Sequence, residues 1–143
     1  LNSILATQDA KQKGFDEAVL LDHSGNVSEA PGENIFLIKN DIMITPSLSS
    51  SALDGITRKS IITIAKDMNL KIKIQKVSKK ELKLADEVFL SGTAAEITPI
   101  IKIDKKKIGD GKVGITTKSF MDTYSDIVMN NNKNYSNWLT KVY

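Results

Sequence analysis

The chain has 143 residues and 41% hydrophobic residues, enough for one globular domain that buries about two thirds of its unfolded surface. It contains no cysteine, which excludes disulfide frameworks and thiolate metal sites. Its apolar runs are too short to cross a bilayer, and its first residues do not resemble a signal peptide. We therefore expect a soluble, cytoplasmic protein with no membrane partner. Because the sequence begins with Leu1, we also expect a piece of a longer chain.

The formal net charge of +3 is unevenly distributed along the chain. Residues 1–70 carry 6 basic and 9 acidic side chains, whereas residues 71–143 carry 14 basic and 8 acidic ones. A basic half of this kind favours polyanions. However, 19 of the 20 basic residues are lysine, with little aromatic interleaving, and arginine usually leads in phosphate recognition. We therefore expect a solvated surface and no nucleic acid, and keep a non-catalytic basic binding module as an alternative.

The apolar pattern alternates between strand and helix spacing, with turn residues between the segments. Asn40 and Asp41 form a two-residue hairpin signal, and Ser78 with Glu81 forms a capping box. Thr116 is the predicted cap of the last helix. The predicted elements in chain order are a helix at 2–13, strands at 17–22, 34–39 and 42–45, a helix from 56 to about 68, a strand at 71–75, a short helix at 78–85, strands at 88–90 and 97–103, and a helix from 116.

Residues 53–58 form a polar turn that leads into a helix with strong apolar periodicity. Gly55 lets the chain approach a ligand closely, and the N–H groups of Ile56 and Thr57 open the helix. Those groups and the positive end of the helix dipole favour a phosphate or a carboxylate. Arg58, the only arginine, adds a positive charge. The alternative is a capped turn without a ligand, which is the commoner fate of such a pattern.

Two further polar turns interrupt apolar segments, at residues 28–34 and 91–98. Taken singly, each has an ordinary interpretation. Glu29 and Glu33 fit surface carboxylates, and Gly92 with the following threonine fits a turn at the end of a strand. The joint occurrence of three such turns is what indicates a shared site.

These segments resemble the signature motifs of the class IV (fold type IV) pyridoxal-phosphate aminotransferases, and most closely the branched-chain amino acid aminotransferases. The GIT turn occurs across the class, so D-amino acid aminotransferases and aminodeoxychorismate lyases remain alternatives, whereas GENIF and GTAAEITP favour the branched-chain members. The matching motifs are SE at 28–29, GENIF at 32–36, SSAL at 50–53, GITR at 55–58, ADEVF at 85–89 and SGTAAEITP at 91–99.

The resemblance implies an α+β fold with a mostly antiparallel, barrel-like sheet and surrounding helices. Residues 1–143 would form a single domain, the C-terminal domain that binds pyridoxal 5'-phosphate. The implied cofactor contacts are Glu29, Leu53, Gly55, Ile56, Thr57 and Thr93, and the implied contacts of the substrate carboxylate are the backbone amides of Thr93 and Ala94. Glu29 would face the pyridine nitrogen, where an anion keeps that nitrogen protonated and the ring able to accept electrons.

The family's Schiff-base lysine would lie a few residues before Leu1, and none of the 19 lysines of this chain matches its position. No catalytic residue is therefore assigned within the chain, and we expect the piece alone to be inactive. The implied parent enzyme transfers the amino group of leucine, isoleucine or valine to 2-oxoglutarate, with an N-terminal domain as a partner and a homodimer as its assembly. The chain departs from the family pattern at Ala30-Pro31 and at Asp54.

Overall fold

The computed structural model describes residues 1–142. Its elements follow the predicted order, except that residues 17–22 form no regular strand and the predicted strand at 97–103 is divided into two. None of the helices in that part of the chain is both long enough and apolar enough to traverse a bilayer. The elements are α1 (Asn2–Gln12), β1 (Asn34–Lys39), β2 (Ile42–Pro46), α2 (Ile56–Asp67), β3 (Lys71–Gln75), α3 (Lys79–Lys83), β4 (Glu87–Gly92), β5 (Glu96–Ile100), β6 (Lys102–Ile103), β7 (Lys106–Lys107) and α4 (Ile115–Val128), with 3₁₀ turns at Leu48–Ser50 and Lys133–Trp138.

Five strands form one sheet in the order β3-β2-β1-β4-β5. All neighbouring pairs are antiparallel except β2 and β3, which are parallel because α2 crosses between them. The predicted α+β class and mostly antiparallel sheet are confirmed. The barrel-like closure that the resemblance implied is wrong for residues 1–142, because the five-stranded sheet is open, with β3 and β5 at its edges. β6 pairs with β7 in a separate hairpin.

Local turn chemistry explains the regular parts of this topology. Asn40 and Asp41 have φ angles of 48° and 57°, which is the left-handed pair that a tight hairpin requires. The capping box at the start of α3 is present as predicted. The predicted strand at 17–22 is wrong. This segment pairs irregularly with the segment that follows it, and the Leu20 N–H donates to the Glu29 carbonyl at 2.8 Å.

Both faces of the central sheet are buried, which explains the nearly continuous apolar sequence of β1. Ile35 and Leu37 face a core completed by α3 and the loops, whereas Phe36 faces a core completed by α2 and α4. Phe36 stacks on Phe89 of β4 at a centroid distance of 5.0 Å, and Phe89 contacts Phe120 of α4 at 5.4 Å. Ile61, Ile64 and Ala65 of α2 are buried in the same cluster, which holds α2 against this face of the sheet and thereby positions its first turn.

The cap of α4 differs from the prediction. The N-cap is Gly114, and Thr116 lies within the first turn. The Glu87 carboxylate accepts hydrogen bonds from the Thr116 N–H at 3.1 Å and the Thr117 N–H at 2.6 Å. A Cβ at Gly114 would lie 2.0 Å from Glu87 Cδ, so this close approach requires glycine. A carboxylate from the neighbouring strand therefore replaces the local cap.

Glu87→Ala is expected to lower the free energy of unfolding by about 1–2 kcal/mol, because it removes both acceptors and a negative charge at the helix N-terminus. Urea unfolding of the protein measures this loss. Asp16→Ala, which removes an exposed carboxylate, is the matched control. Equal stability of the two variants would contradict the role of Glu87.

Candidate functional site

The three polar turns meet at one cleft of about 90 Å³. It contains all the residues predicted to contact a cofactor, whereas Ala94 lies exposed just beyond it. A larger surface cleft of about 240 Å³ lies between β5 and α4, but only Glu96 and Ile97 in its lining come from one of the three turns. We therefore place the candidate site in the smaller cleft. The residues that line it are Glu29, Gly32, Glu33, Asn34, Leu53, Gly55, Ile56, Thr57, Ser91, Gly92 and Thr93.

Sheet register brings these turns together. Asn34 at the start of β1 pairs with Ser91 near the end of β4, so the two flanking turns leave the sheet at the same end of these strands. The Asn34 side chain also donates a hydrogen bond to the Leu53 carbonyl, just before α2, at 2.9 Å. The N-terminus of α2 therefore lies near the same end of these strands.

The first turn of α2 leaves its N–H groups available to a ligand. The helix has 12 residues, and its N-cap is Gly55, which provides no side-chain cap. The first bond into the helix is from the Lys59 N–H to the Gly55 carbonyl at 3.1 Å, so the N–H groups of Ile56 and Thr57 have no acceptor within the helix. Together with the helix dipole they form an anion-binding end.

The structure gives a steric reason for glycine at position 55. Its φ of −63° is accessible to any residue, so backbone freedom does not explain the glycine. A Cβ at this position would lie 2.3 Å from Oδ1 of Asn34. The missing side chain therefore makes room for the Asn34 amide, and the close approach of Gly55 to a ligand stays a prediction.

Glu29 also lines the cleft, and one of its carboxylate oxygens is held by two hydrogen bonds. Its Oε2 accepts hydrogen bonds from the Leu53 N–H at 2.9 Å and from Asn34 Nδ2 at 3.3 Å. Within residues 1–142, no hydrogen bond to Oε1 of Glu29 is present. The protein therefore orients one carboxylate oxygen, and the other can accept a hydrogen bond from a ligand.

Asn34 is a site residue that sequence reasoning missed. Its Nδ2 also donates to the Leu53 carbonyl at 2.9 Å, and the residue is only 6% exposed. Asn34 belongs to the GENIF motif, but nothing in the sequence indicates a contact between residues 19 positions apart.

Arg58 supports the loop before α2 and does not line the cleft. The residue is 4% exposed, and its Nη2 donates to the Pro46 carbonyl at 3.1 Å. Burial lowers the pKa of its guanidinium group, and the nearby Asp54 carboxylate, 3.8 Å away, opposes that shift. Arg58 therefore anchors the turn to the preceding strand, and its positive charge lies behind the turn.

Glu33 lines the cleft with a perturbed carboxyl group. Partial burial, and secondly the charge of Glu17, raise the pKa of Glu33. Because its pKa is higher in the folded than in the unfolded state, ionisation of this group costs folding energy. That cost is absent below the unfolded pKa and appears as the pH rises through the folded pKa.

Glu33→Gln is therefore expected to stabilise the protein at pH 7 but not at pH 3. The gain should be below about 1 kcal/mol, because the side chain is partly exposed to screening solvent. Urea unfolding at the two pH values measures it, with Asp16→Asn as the control. A gain of equal size at pH 3 would show that ionisation is not its cause.

Comparison with known proteins then identifies the family. Residues 1–103 match the family described as "Amino-transferase class IV". The chain belongs to the class IV aminotransferases. Its relatives within this family include branched-chain amino acid aminotransferases, as the GENIF and GTAAEITP motifs predicted.

Among these class IV aminotransferases, the chain is 46% identical over 144 residues to the probable branched-chain-amino-acid aminotransferase of Aquifex aeolicus, covering 100% of this chain and 46% of that relative. It is 40% identical over 142 residues to the branched-chain-amino-acid aminotransferase of Escherichia coli strain K12, covering 99% of this chain and 46% of the relative. The chain therefore spans slightly under half the length of these curated relatives.

The same family appears among solved structures. The T.th. branched-chain amino acid aminotransferase with pyridoxamine 5'-phosphate superposes with a TM-score of 0.96 and 40% identity, covering 99% of this chain and 47% of that one. The enzyme of Thermoproteus uzoniensis with norvaline superposes with a TM-score of 0.95 and 42% identity, again covering 99% and 47%. At these identities, the class IV aminotransferase fold of the chain is established.

Proposed function

We propose that the chain is the cofactor-binding part of a longer protein, here called the parent protein, which is a pyridoxal-phosphate-dependent branched-chain amino acid aminotransferase. The parent protein would transfer the amino group of leucine, isoleucine or valine to 2-oxoglutarate. The observation that carries this proposal is one cleft that joins an oriented carboxylate, Glu29, to the uncapped N-terminus of α2.

The donor groups of the cleft fit pyridoxal phosphate, which carries a phosphate at one end and a pyridine nitrogen at the other. The N–H groups of Ile56 and Thr57 are suited to the phosphate, with the Thr57 and Thr93 hydroxyls beside them. The free oxygen of Glu29 is suited to a protonated ring nitrogen, which a neighbouring anion stabilises. When bound, this cofactor supplies an electron sink for charge that develops at the substrate α-carbon.

The substrate carboxylate is assigned to the turn that follows β4. Thr93 and Ala94 are exposed there, and Thr93 also lines the cleft. We propose that their successive backbone N–H groups receive the carboxylate, because adjacent amides in a turn bind an anion without a mobile cation. Leu53, which is 69% exposed, would lie at the phosphate side of the cofactor.

The remaining walls of the site are assigned to other parts of the parent protein. A cleft of about 90 Å³ is small beside ligand pockets of roughly 300 Å³ or more. Ile56 is 83% exposed at its edge, which leaves apolar surface for another segment to cover. We propose that the parent's N-terminal domain provides this cover, that a preceding lysine carries the proton, and that the parent is a homodimer.

Turnover by the parent protein tests the proposed substrates. We expect it to convert L-leucine and 2-oxoglutarate to L-glutamate, and to leave D-alanine unreacted. Turnover of D-alanine without turnover of L-leucine, L-isoleucine or L-valine would instead assign a D-amino acid aminotransferase. Coupled detection of glutamate measures the first reaction and coupled detection of pyruvate measures the second.

The 143-residue chain alone is expected to show no transamination, because it contains the proposed ring and phosphate contacts but not the lysine proposed as the proton carrier. The same glutamate assay, with the parent protein at equal concentration as the positive control, measures this. Turnover by the isolated chain would contradict the assignment of that lysine to the parent's preceding segment.

A further inference from the structure

We infer that Asn34 is a positioning residue that orients the Glu29 carboxylate toward the cofactor and links the two ends of the site. This inference rests on the proposed function, because it concerns how the proposed cofactor contact is held. Asn34 is not proposed to touch the reacting atoms.

Asn34 and Glu29 belong to a closed set of three hydrogen bonds with the Leu53 backbone. Asn34 Nδ2 donates to Glu29 Oε2 at 3.3 Å and to the Leu53 carbonyl at 2.9 Å. The Leu53 N–H donates to the same Glu29 oxygen at 2.9 Å. Two donors on one carboxylate oxygen restrict rotation of the group, so the second oxygen of Glu29 has a defined direction.

The chemistry of this arrangement requires an amide. Both neighbours of the Asn34 side-chain nitrogen are oxygen acceptors, so the nitrogen must face them. An aspartate would offer only acceptors when ionised and would repel Glu29. Alanine would remove both donor bonds. Asparagine has two N–H groups on one nitrogen, which match the carboxylate and the carbonyl together.

The other side of the same amide contacts the start of α2. With Nδ2 facing Glu29 and the Leu53 carbonyl, Oδ1 faces Gly55, where a Cβ would lie only 2.3 Å away. Gly55 is the N-cap of the helix that we assign to the phosphate. The Asn34 side chain therefore lies between the Glu29 carboxylate and the N-cap of the helix that we assign to the phosphate.

Asn34 is held in place by the central sheet. Asn34 is the first residue of β1 and pairs with Ser91 of β4. It is buried, with 6% exposure, so its amide has little room to move. Glu29 lies in a loop, and its hydrogen bond to Asn34 fixes its orientation relative to the central strands of the sheet.

A double-mutant cycle in the parent protein tests this role, with the dissociation constant of pyridoxal 5'-phosphate as the readout. Asn34→Ala is expected to weaken binding about 10-fold, since a hydrogen bond to a charged group is lost. In the Glu29→Ala background, the same change should weaken binding by less than about 3-fold, because its partner is gone. Asn26→Ala removes an amide that bonds the Asp22 carboxylate at 3.1 Å outside the cleft, and should change binding by less than about 2-fold.

An equal loss on Asn34→Ala in both backgrounds would overturn the inference, because Asn34 would then act independently of Glu29. If the Glu29→Ala variant binds the cofactor as tightly as the wild-type parent protein does, the proposed site is wrong and so is the inference that rests on it. The two failures are distinguished by the Glu29→Ala variant alone.

Asn34→Asp provides a second test that does not depend on folding of the alanine variant. The introduced carboxylate keeps the size of the side chain but repels Glu29 when both are ionised. At pH 7 this repulsion should weaken cofactor binding by about 10-fold or more, and by less than about 3-fold in a Glu29→Gln background, where residue 29 carries no charge. A loss of equal size in the two backgrounds would overturn the inference.

Discussion

Glu29→Gln is expected to lower kcat of the parent protein by about 100-fold or more, while the protein remains folded. The change removes the negative charge that would keep the ring nitrogen protonated, and removal of one preorganised electrostatic partner typically costs this much. Glutamine retains an oxygen that can accept from the Leu53 N–H and from Asn34, so the local fold should persist.

Steady-state kinetics with L-leucine and 2-oxoglutarate measure the effect of Glu29→Gln, and thermal unfolding verifies that the variant is folded. Asp16→Asn changes an exposed carboxylate that lies outside the cleft, and serves as the control. If the Glu29 variant retained more than half of wild-type kcat, the assignment of Glu29 to the ring nitrogen would be wrong.

Gly55→Ala is expected to lower both the stability and the cofactor affinity of the parent protein. The new methyl group would meet the Asn34 amide at 2.3 Å, so that amide must move and release Glu29. Overpacking of this kind costs about 1–3 kcal/mol of unfolding free energy. We expect an additional weakening of cofactor binding of about 10-fold, as for loss of the hydrogen bond to Glu29.

Gly114→Ala is the matched control for this effect. Gly114 is also the N-cap of a long helix, and its added methyl group would meet Glu87 at 2.0 Å, away from the cleft. It should therefore reduce stability without changing the dissociation constant of pyridoxal phosphate. Urea unfolding and cofactor titration separate the two quantities. Unchanged cofactor binding in Gly55→Ala would show that the Gly55 contact with Asn34 does not serve the site.

Elements specified by neighbouring residues could be predicted from the sequence. The hairpin at Asn40-Asp41 follows from two adjacent residues that tolerate positive φ, and the start of α3 follows from a capping box between Ser78 and Glu81. The cap of α4 could not be predicted, because Glu87 supplies it from 29 positions earlier in the chain. The local sequence indicated Thr116 because a pattern of neighbouring residues carries no information about the distant Glu87.

The candidate site divides in the same way. The turn at 53–58 indicated an anion site from its own residues, and the resemblance to class IV aminotransferases added Glu29 and Thr93, which line the same cleft. Their roles toward the cofactor and substrate stay predictions. The proposed role of Asn34 depends on strand register and on a contact with Leu53, 19 positions away, so it could be inferred only from the structure.

A crystal structure of the parent protein with bound pyridoxal 5'-phosphate tests the proposed site most directly. We expect phosphate oxygens at about 3 Å from the N–H nitrogens of Ile56 and Thr57, and the ring nitrogen at about 3 Å from Oε1 of Glu29. A phosphate bound away from the first turn of α2, or a ring nitrogen out of hydrogen-bond reach of Glu29, would contradict the proposal.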